Sequence, residues 1–221
     1  ELSGVAFSAL GTTSKGTFVI NNNATVDLDT CTFSDMSTFS LGGSNTTVVG
    51  SAFNRCNTVT VNGSSVTTSI FNNSPSASSV IVTDLEDLTG CSFISDGSNH
   101  AAELTSAGAG TMSWNNTATG YAAGASGNNV TATSTGNETI YLNFTSAATF
   151  TINVAAGATV PSIRKAAGMT GNVNIIAGAV SITVNTVETD GTPVEGVRVF
   201  IETNTGTGSL PYQDSISITR S

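Results

Sequence analysis

Large aromatic rings return about every twenty residues along this chain: Phe33, Phe53, Phe71, Phe93 and Trp114 are separated by 20, 18, 22 and 21 positions. Each closes a short β-type run, VDLDTCTF, VVGSAF, VTTSIF, LTGCSF and TMSW. A second apolar patch follows in step, with Phe39 and Leu41, Val59 and Val61, Val80 and Val82, then Ala102 and Leu104. Two features repeating together, with no helical spacing, predict a stacked β-solenoid in which each turn holds at least two short strands joined by polar bends. The ring column is expected to run inside the stack from Phe33 to Trp114, Trp114 capping it in the same register.

The residues after the rings are Ser34, Asn54, Asn72, Ile94 and Asn115. Asparagine tolerates left-handed backbone, and stacked amides can hydrogen-bond along a ladder, so these positions predict one bend of the turn. The turn length and the recurring Asn resemble the right-handed parallel β-helix of the pectate-lyase-like group. That resemblance covers about ninety residues and implies an architecture, not an activity.

Residues 1–119 are therefore read as a parallel β-helix. From 120 to 179 the rhythm shortens to TIYLNF, TFTINV, VPSIR and VNIIA, expected to be irregular closing turns that bury Ile140, Leu142, Phe144, Phe150, Ile152, Val154, Ile163, Val173 and Ile175. A closing element is required because the open end of a solenoid exposes strand edges and core. In residues 180–221, Val180, Ile182 and Val184 alternate, Asp190-Gly191 marks a turn, and Val197, Val199 and Ile201 return. This hairpin resembles the opening of small Ig-like sandwiches related to the carboxypeptidase regulatory domain. A sandwich needs about seven strands, so the module is expected to be incomplete, continued past Ser221 or completed by another subunit. With the tail GTGSLPYQDSISITRS it also resembles segments of tailed-bacteriophage structural proteins.

Composition agrees with an all-β chain. Ser, Thr, Asn and Gly dominate, 10% of residues are charged, and the 38% apolar fraction is largely Val, Ile, Ala and Phe, which suit half-buried strands better than helices. The formal charge of −9, with six scattered basic residues, disfavours nucleic acid as a partner. No apolar run approaches a membrane span, so membrane insertion is not expected. The chain opens at Glu1 rather than Met, so a missing targeting signal carries little weight.

Cys31 and Cys91 both lie two positions before a ring and share its inward face. Three turns at ~4.8 Å separate them by about 14 Å, beyond disulfide reach, so buried free thiols are expected. Cys56 shows no metal-ligand spacing with either.

The β-helix can carry polysaccharide lyases and hydrolases, which use clustered carboxylates, a basic residue or a carboxylate pair. Asp27 and Asp29 alternate with Val26 and Leu28 and so read as an outward, solvated pair. Asp84, Glu86 and Asp87 follow VIV at a bend and form a weak Ca²⁺ candidate, without the spacing of a calcium loop. Arg55 is the one charged residue that a neighbouring turn offers as a lyase base. His100, the single histidine, reads as a surface-loop residue in DGSNHA, with no nucleophile motif to serve. Tyr121 is the candidate glycan contact, by stacking on a sugar ring. Sequons at Asn62, Asn72 and Asn137 are what a chain this rich in Asn, Ser and Thr contains by chance.

These readings predict a non-enzymatic virion protein of a bacteriophage, a fibre, spike, tail or capsid-decoration component that needs no cofactor. Its expected partners are further copies of itself as a homotrimer, other virion proteins and a host cell-surface glycan. An extracellular polysaccharide lyase or hydrolase of β-helix fold is the first alternative, and release of sugars abolished by Asp84→Ala or Glu86→Ala would identify it. A bacterial surface adhesin or filament subunit is the second, distinguished by genomic neighbourhood.

Overall fold

The computed structural model describes residues 1–9 and 16–178, together with Glu188 and Thr192. The chain divides into a unit of residues 1–180 and a second of 181–221. The Ig-like hairpin expected in the second unit lies outside the described residues.

The first unit is an all-β parallel solenoid of about 8 turns spaced by about 22 residues. The first turn holds β1 (Leu2–Ser3), β2 (Ala6–Ser8) and β3 (Gly16–Val19). The second holds β4 (Val26–Asp29), β5 (Thr32–Ser34) and β6 (Met36–Ser40), and the third β7 (Thr46–Val49), β8 (Ala52–Asn54) and β9 (Val59–Thr60). The fourth follows with β10 (Ser65–Thr67), β11 (Ile70–Asn72) and β12 (Ser78–Val82). After a 3-10 turn, Leu85–Asp87, the first two arms fuse into β13 (Leu88–Ile94), which precedes β14 (His100–Leu104). The remaining strands are β15 (Thr111–Thr119), β16 (Ile140–Leu142), β17 (Phe150–Val154), β18 (Ile163–Lys165) and β19 (Val173–Ala177).

Every strand pairs in parallel with its counterpart one turn away, giving three rows. Row one runs β1-β4-β7-β10-β13 and continues through β15, β17 and β19, row two runs β2-β5-β8-β11-β13, and row three runs β3-β6-β9-β12-β14-β16-β18. The two periodic features of the sequence are the inward columns of rows two and three. Phe33, Phe53, Phe71 and Phe93 are register partners, as are Phe39, Val59, Val80, Ala102, Ile140 and Ile163.

The ring column is longer than its sequence pattern suggests and ends differently. It begins one turn earlier at Phe7, stacked on Phe33 at 5.0 Å, and continues at 5.3, 4.7 and 4.9 Å to Phe93. Phe18 and Phe39 meet Phe33 edge-on from row three. Trp114 does stack on Phe93, at 5.9 Å, but not in register: Phe93 pairs with Ala118, and Trp114 pairs with Val154. A shift between Thr89 and Ser92 breaks the ladder there, so the indole reaches the column from the first arm of its turn. Its Nε1 donates to the Thr159 carbonyl at 3.0 Å, which satisfies the one polar atom of a fully buried ring.

The bends are narrow because a single residue in the left-handed region turns the chain between rows one and two. Gly4, Thr30, Gly50, Thr68 and Gly90 stack at this bend with φ of 64°, 52°, 58°, 49° and 66°. The ladder continues through it, Thr30 donating to Val49, Gly50 to Thr67 and Thr68 to Thr89. Asp35, Arg55 and Asn73 do the same between rows two and three, with φ of 59°, 50° and 49°. The expected Asn stack is confined to one contact, Asn72 Nδ2 donating to Asn54 Oδ1 at 3.4 Å. Asn115 is exposed on β15 and does not belong to it.

Residues 140–177 form true turns, and the apolar set named above is buried apart from a partly buried Phe144. The closing element is instead the polar excursion between β15 and β16. Gly127 exchanges backbone bonds with Ile175 on the last strand of row one, the Val130 amide donates to Val173, and the Thr133 amide donates to Ile163 on the last strand of row three. Segment 120–139 thus pairs with the last described strands of two rows, and its Val130 packs on the core.

Candidate functional site

The residues singled out for chemistry do not converge. Asp27 and Asp29 point outward on β4 beside Leu28, and they accept from Thr47 Oγ1 and from Ser3 Oγ respectively. Arg55 forms a two-pronged pair with Asp35, Nε to Oδ1 at 2.9 Å and Nη2 to Oδ2 at 2.7 Å, across successive bends. Its charge is thereby committed, and the hydrogen bond and attraction of Asp35 raise its pKa further.

Asp84, Glu86 and Asp87 flank the 3-10 turn but aim at different partners. Asp84 caps it, accepting from the Glu86 amide at 2.9 Å, while Glu86 Oε1 accepts from the Ser113 amide at 3.1 Å. Asp87 turns one carboxylate oxygen inward with no hydrogen-bond partner. Burial, and then the charge of Asp84, push its pKa up to about 6. Among the described residues no group of three or more His, Cys, Asp or Glu side chains is placed to hold a metal ion.

Tyr121 packs against the core and directs its hydroxyl inward, towards Ser79, Ser95 and Asn99. Burial pushes its pKa up to about 12. Its hydroxyl is buried without a hydrogen-bond partner, while the residue as a whole is only partly buried.

All three cysteines are buried. Cys31 and Cys91 belong to a column of small side chains just after the first bend. There Ser51 Oγ accepts from the Cys31 amide at 3.0 Å, Ser69 Oγ accepts from the Ser51 amide at 3.1 Å, and Asn116 Oδ1 accepts from the Cys91 amide at 2.8 Å. These side chains replace the strand-to-strand acceptor where the backbone turns away. Burial also pushes the Cys91 thiol up to about 11, which leaves it protonated and unreactive.

Another set of charged groups lies on and beside row three, at residues the periodicity did not mark. His100 is not on a surface loop: it opens β14 with 1% of its surface exposed. DGSN is the loop, and the histidine is the first strand residue after it, paired with Ser78. Its Nδ1 lies 2.7 Å from the Glu138 carbonyl and 3.7 Å from Glu138 Oε2, and its Nε2 lies 3.2 Å from Arg164 Nη1. The Arg164 guanidinium sits over the Tyr141 ring at 4.6 Å, and the Tyr141 ring is 5.3 Å from the imidazole.

These groups come together because Glu103, Tyr141 and Arg164 are register partners on β14, β16 and β18, while Glu138 ends the closing segment just before β16. Glu103 accepts from Asn143 at 2.7 Å and from Ser78 at 3.1 Å. Glu138 is fully buried. Burial alone would raise its pKa, but the Thr133 hydroxyl and the Thr135 amide and hydroxyl hold it down at about 2. The pKa of His100 is lowered too, but here by burial, against the raising effect of Glu138. The sequence signal was available only as distance: His100, Glu138 and Arg164 are tens of residues apart and meet only once the turns are stacked.

No family model matches the chain, and no curated protein and no solved structure matches it either.

Proposed function

We propose that the chain is a non-enzymatic structural protein of a bacteriophage virion, a fibre, spike, tail or capsid-decoration component, in which the solenoid serves as a stiff spacer and packing surface. The observation that supports this is the outer face of row two. Thr32, Ala52, Ile70 and Ser92 form one outward column and Ser34, Asn54, Asn72 and Ile94 the next, with no formal charge among them. The chain as a whole carries −9, so copies repel, and an uncharged face lets two solenoids approach at lower electrostatic cost than an acidic one. Ile70 and Ile94 are 44% and 38% exposed, which gives the face an apolar component to bury.

The resemblance of residues 180–221 to tailed-phage segments supports the same setting. The reading assembles the chain as a homotrimer alongside other virion proteins and lets bends of the solenoid meet a host glycan. Multi-angle light scattering tests it: a trimer has three times the 22.2 kDa of one chain, about 67 kDa. A monomer mass at micromolar concentration would remove the trimer. Release of reducing or unsaturated sugars from an acidic glycan panel would replace the structural reading with the enzymatic one.

A further inference from the structure

We propose that the outer face of row three, at the second to fourth turns, binds a neutral oligosaccharide. The inference rests on the glycan contact of the reading above and gives it a place. Strands β6 and β9 lie side by side there, with Phe39 paired to Val59 and Ser40 to Thr60. Phe39 and Val59 point inward, each 1% exposed, so the residues that alternate with them, Thr38, Ser40, Thr58 and Thr60, point outward. Their hydroxyls mark the corners of a patch about 4.8 Å across the strands and about 6.6 Å along them. Asn57 and Ser76 complete the lining of a surface groove of about 240 Å³.

The lining selects the ligand. It holds no formal charge, and the charges at the adjoining bend, Asp35 and Arg55, are paired with each other. A phosphate, carboxylate or ammonium group would lose water there without gaining an ionic partner. Phe39 keeps its ring among the rings of the core, so an apolar ligand has little to bury against. What the face offers is hydroxyl groups, which both donate and accept, and the matching ligand is a polyol.

The hydrogen bonds already made assign roles within the groove. Thr58 Oγ1 donates to the Ser78 carbonyl at 2.8 Å and is left to accept, while Ser40 Oγ accepts from Asn62 Nδ2 at 3.1 Å and is left to donate. The hydroxyls of Thr38 and Thr60 have no hydrogen-bond partner among the described residues. The groove is smaller than the ~300 Å³ at which pockets for drug-sized ligands begin, so it fits a single sugar ring. Tyr121, the glycan contact expected from the sequence, does not line it.

The test uses the full chain and three neutral probes, maltohexaose, cellohexaose and mannohexaose, with hexagalacturonate as the anionic one. Isothermal titration is expected to show binding of at least one neutral probe in preference to the anionic one. Threonine-methyl NMR of the wild-type chain is expected to show Thr38, Thr58 and Thr60 shifting when that probe is added, while Thr67 and Thr111 on row one hold still. Thr38→Val combined with Thr60→Val keeps shape and strand preference but removes two hydroxyls, and is expected to weaken binding about tenfold or more. Thr67→Val combined with Thr111→Val, the same change on row one, is expected to leave binding unchanged. No binding of any neutral probe, preference for the anionic one, shifts confined to other threonines, or undiminished affinity in the Thr38 and Thr60 variant overturns the proposal. Should that variant fail to fold, the methyl shifts of the wild-type chain decide it. The mass from light scattering is a separate readout: a monomer that binds removes the trimer and keeps the groove, and a trimer that does not bind does the reverse.

Discussion

Asn116 bridges the break in the ladder at Cys91: its Oδ1 accepts from the Cys91 amide at 2.8 Å, and its Nδ2 donates to the Leu88 carbonyl at 3.0 Å. The shift between Thr89 and Ser92 takes these backbone groups out of strand pairing, and one buried side-chain amide meets both needs. Asn116→Ala is expected to leave a buried donor and a buried acceptor unpaired and to cost about 3 kcal/mol, read as a fall in the urea midpoint. The adjacent Asn115→Ala, at an exposed position, is expected to stay within about 0.5 kcal/mol.

Phe71 stands mid-column, stacked on Phe53 at 4.7 Å and on Phe93 at 4.9 Å. Phe71→Ala is expected to cost about 3–5 kcal/mol, since the rings on both sides are held by their strands and cannot collapse into the gap. Phe71→Leu keeps most of the volume and is expected to cost about 1.5 kcal/mol or less. Equal losses for the two variants in chemical denaturation would show that stacking geometry, rather than filled volume, dominates the column.

What could be read in the sequence and what could not divide along one physical line. Phe33 to Phe93 and Phe39 to Ala102 were legible because inward positions of a solenoid repeat once per turn, and burial enforces that repeat. Cys31 and Cys91 followed by the same rule. Trp114 kept the spacing but not the register, because a bulge shifts pairing without changing the count of residues. His100 and Glu138 were illegible because their burial is set by partners on other turns. The cap at 120–139 reads as a polar loop since it contributes backbone pairing and little apolar surface.

Thr68 holds φ of 49° in the bend column where Gly50 and Gly90 stand one turn to either side. A β-branched residue is strained in this region, and Thr68 is exposed, so little packing is lost on replacing it. Its Cγ2 does lie within contact range of a side chain placed at Gly90. Thr68→Asn is therefore expected to raise stability by about 0.5–1 kcal/mol, seen as a higher melting temperature. A lower melting temperature would mean that the bend does not strain Thr68.

Asp87 is a native liability. Its folded pKa is raised from 3.8 to about 6, by burial first and by Asp84 second, so above pH 6 the fold carries a partly buried charge. Its destabilisation is fully present at pH 7 and is relieved as pH falls from 6 to 3.8. Asp87→Asn is expected to stabilise the chain at pH 7 by about 1 kcal/mol once solvent screening of a half-buried group is allowed for. The gain should vanish near pH 3.8, and a gain that persists there would point to the amide hydrogen bond rather than the charge.

Acid stability should therefore have a definite shape. His100 has an ordinary pKa of 6.5, lowered in the fold by burial, so its contribution is complete above 6.5 and is lost as pH drops below that value. Glu138 has an ordinary pKa of 4.5 and is held at about 2, so its contribution is lost as pH falls from 4.5 towards 2. Asp87 works against both between 6 and 3.8, masking the histidine step in the wild-type chain. In Asp87→Asn the urea midpoint is expected to begin falling near pH 6.5 and to fall again below 4.5. Adding His100→Gln should remove the first fall and leave the second, whereas a first fall that survives would assign it to a group other than His100.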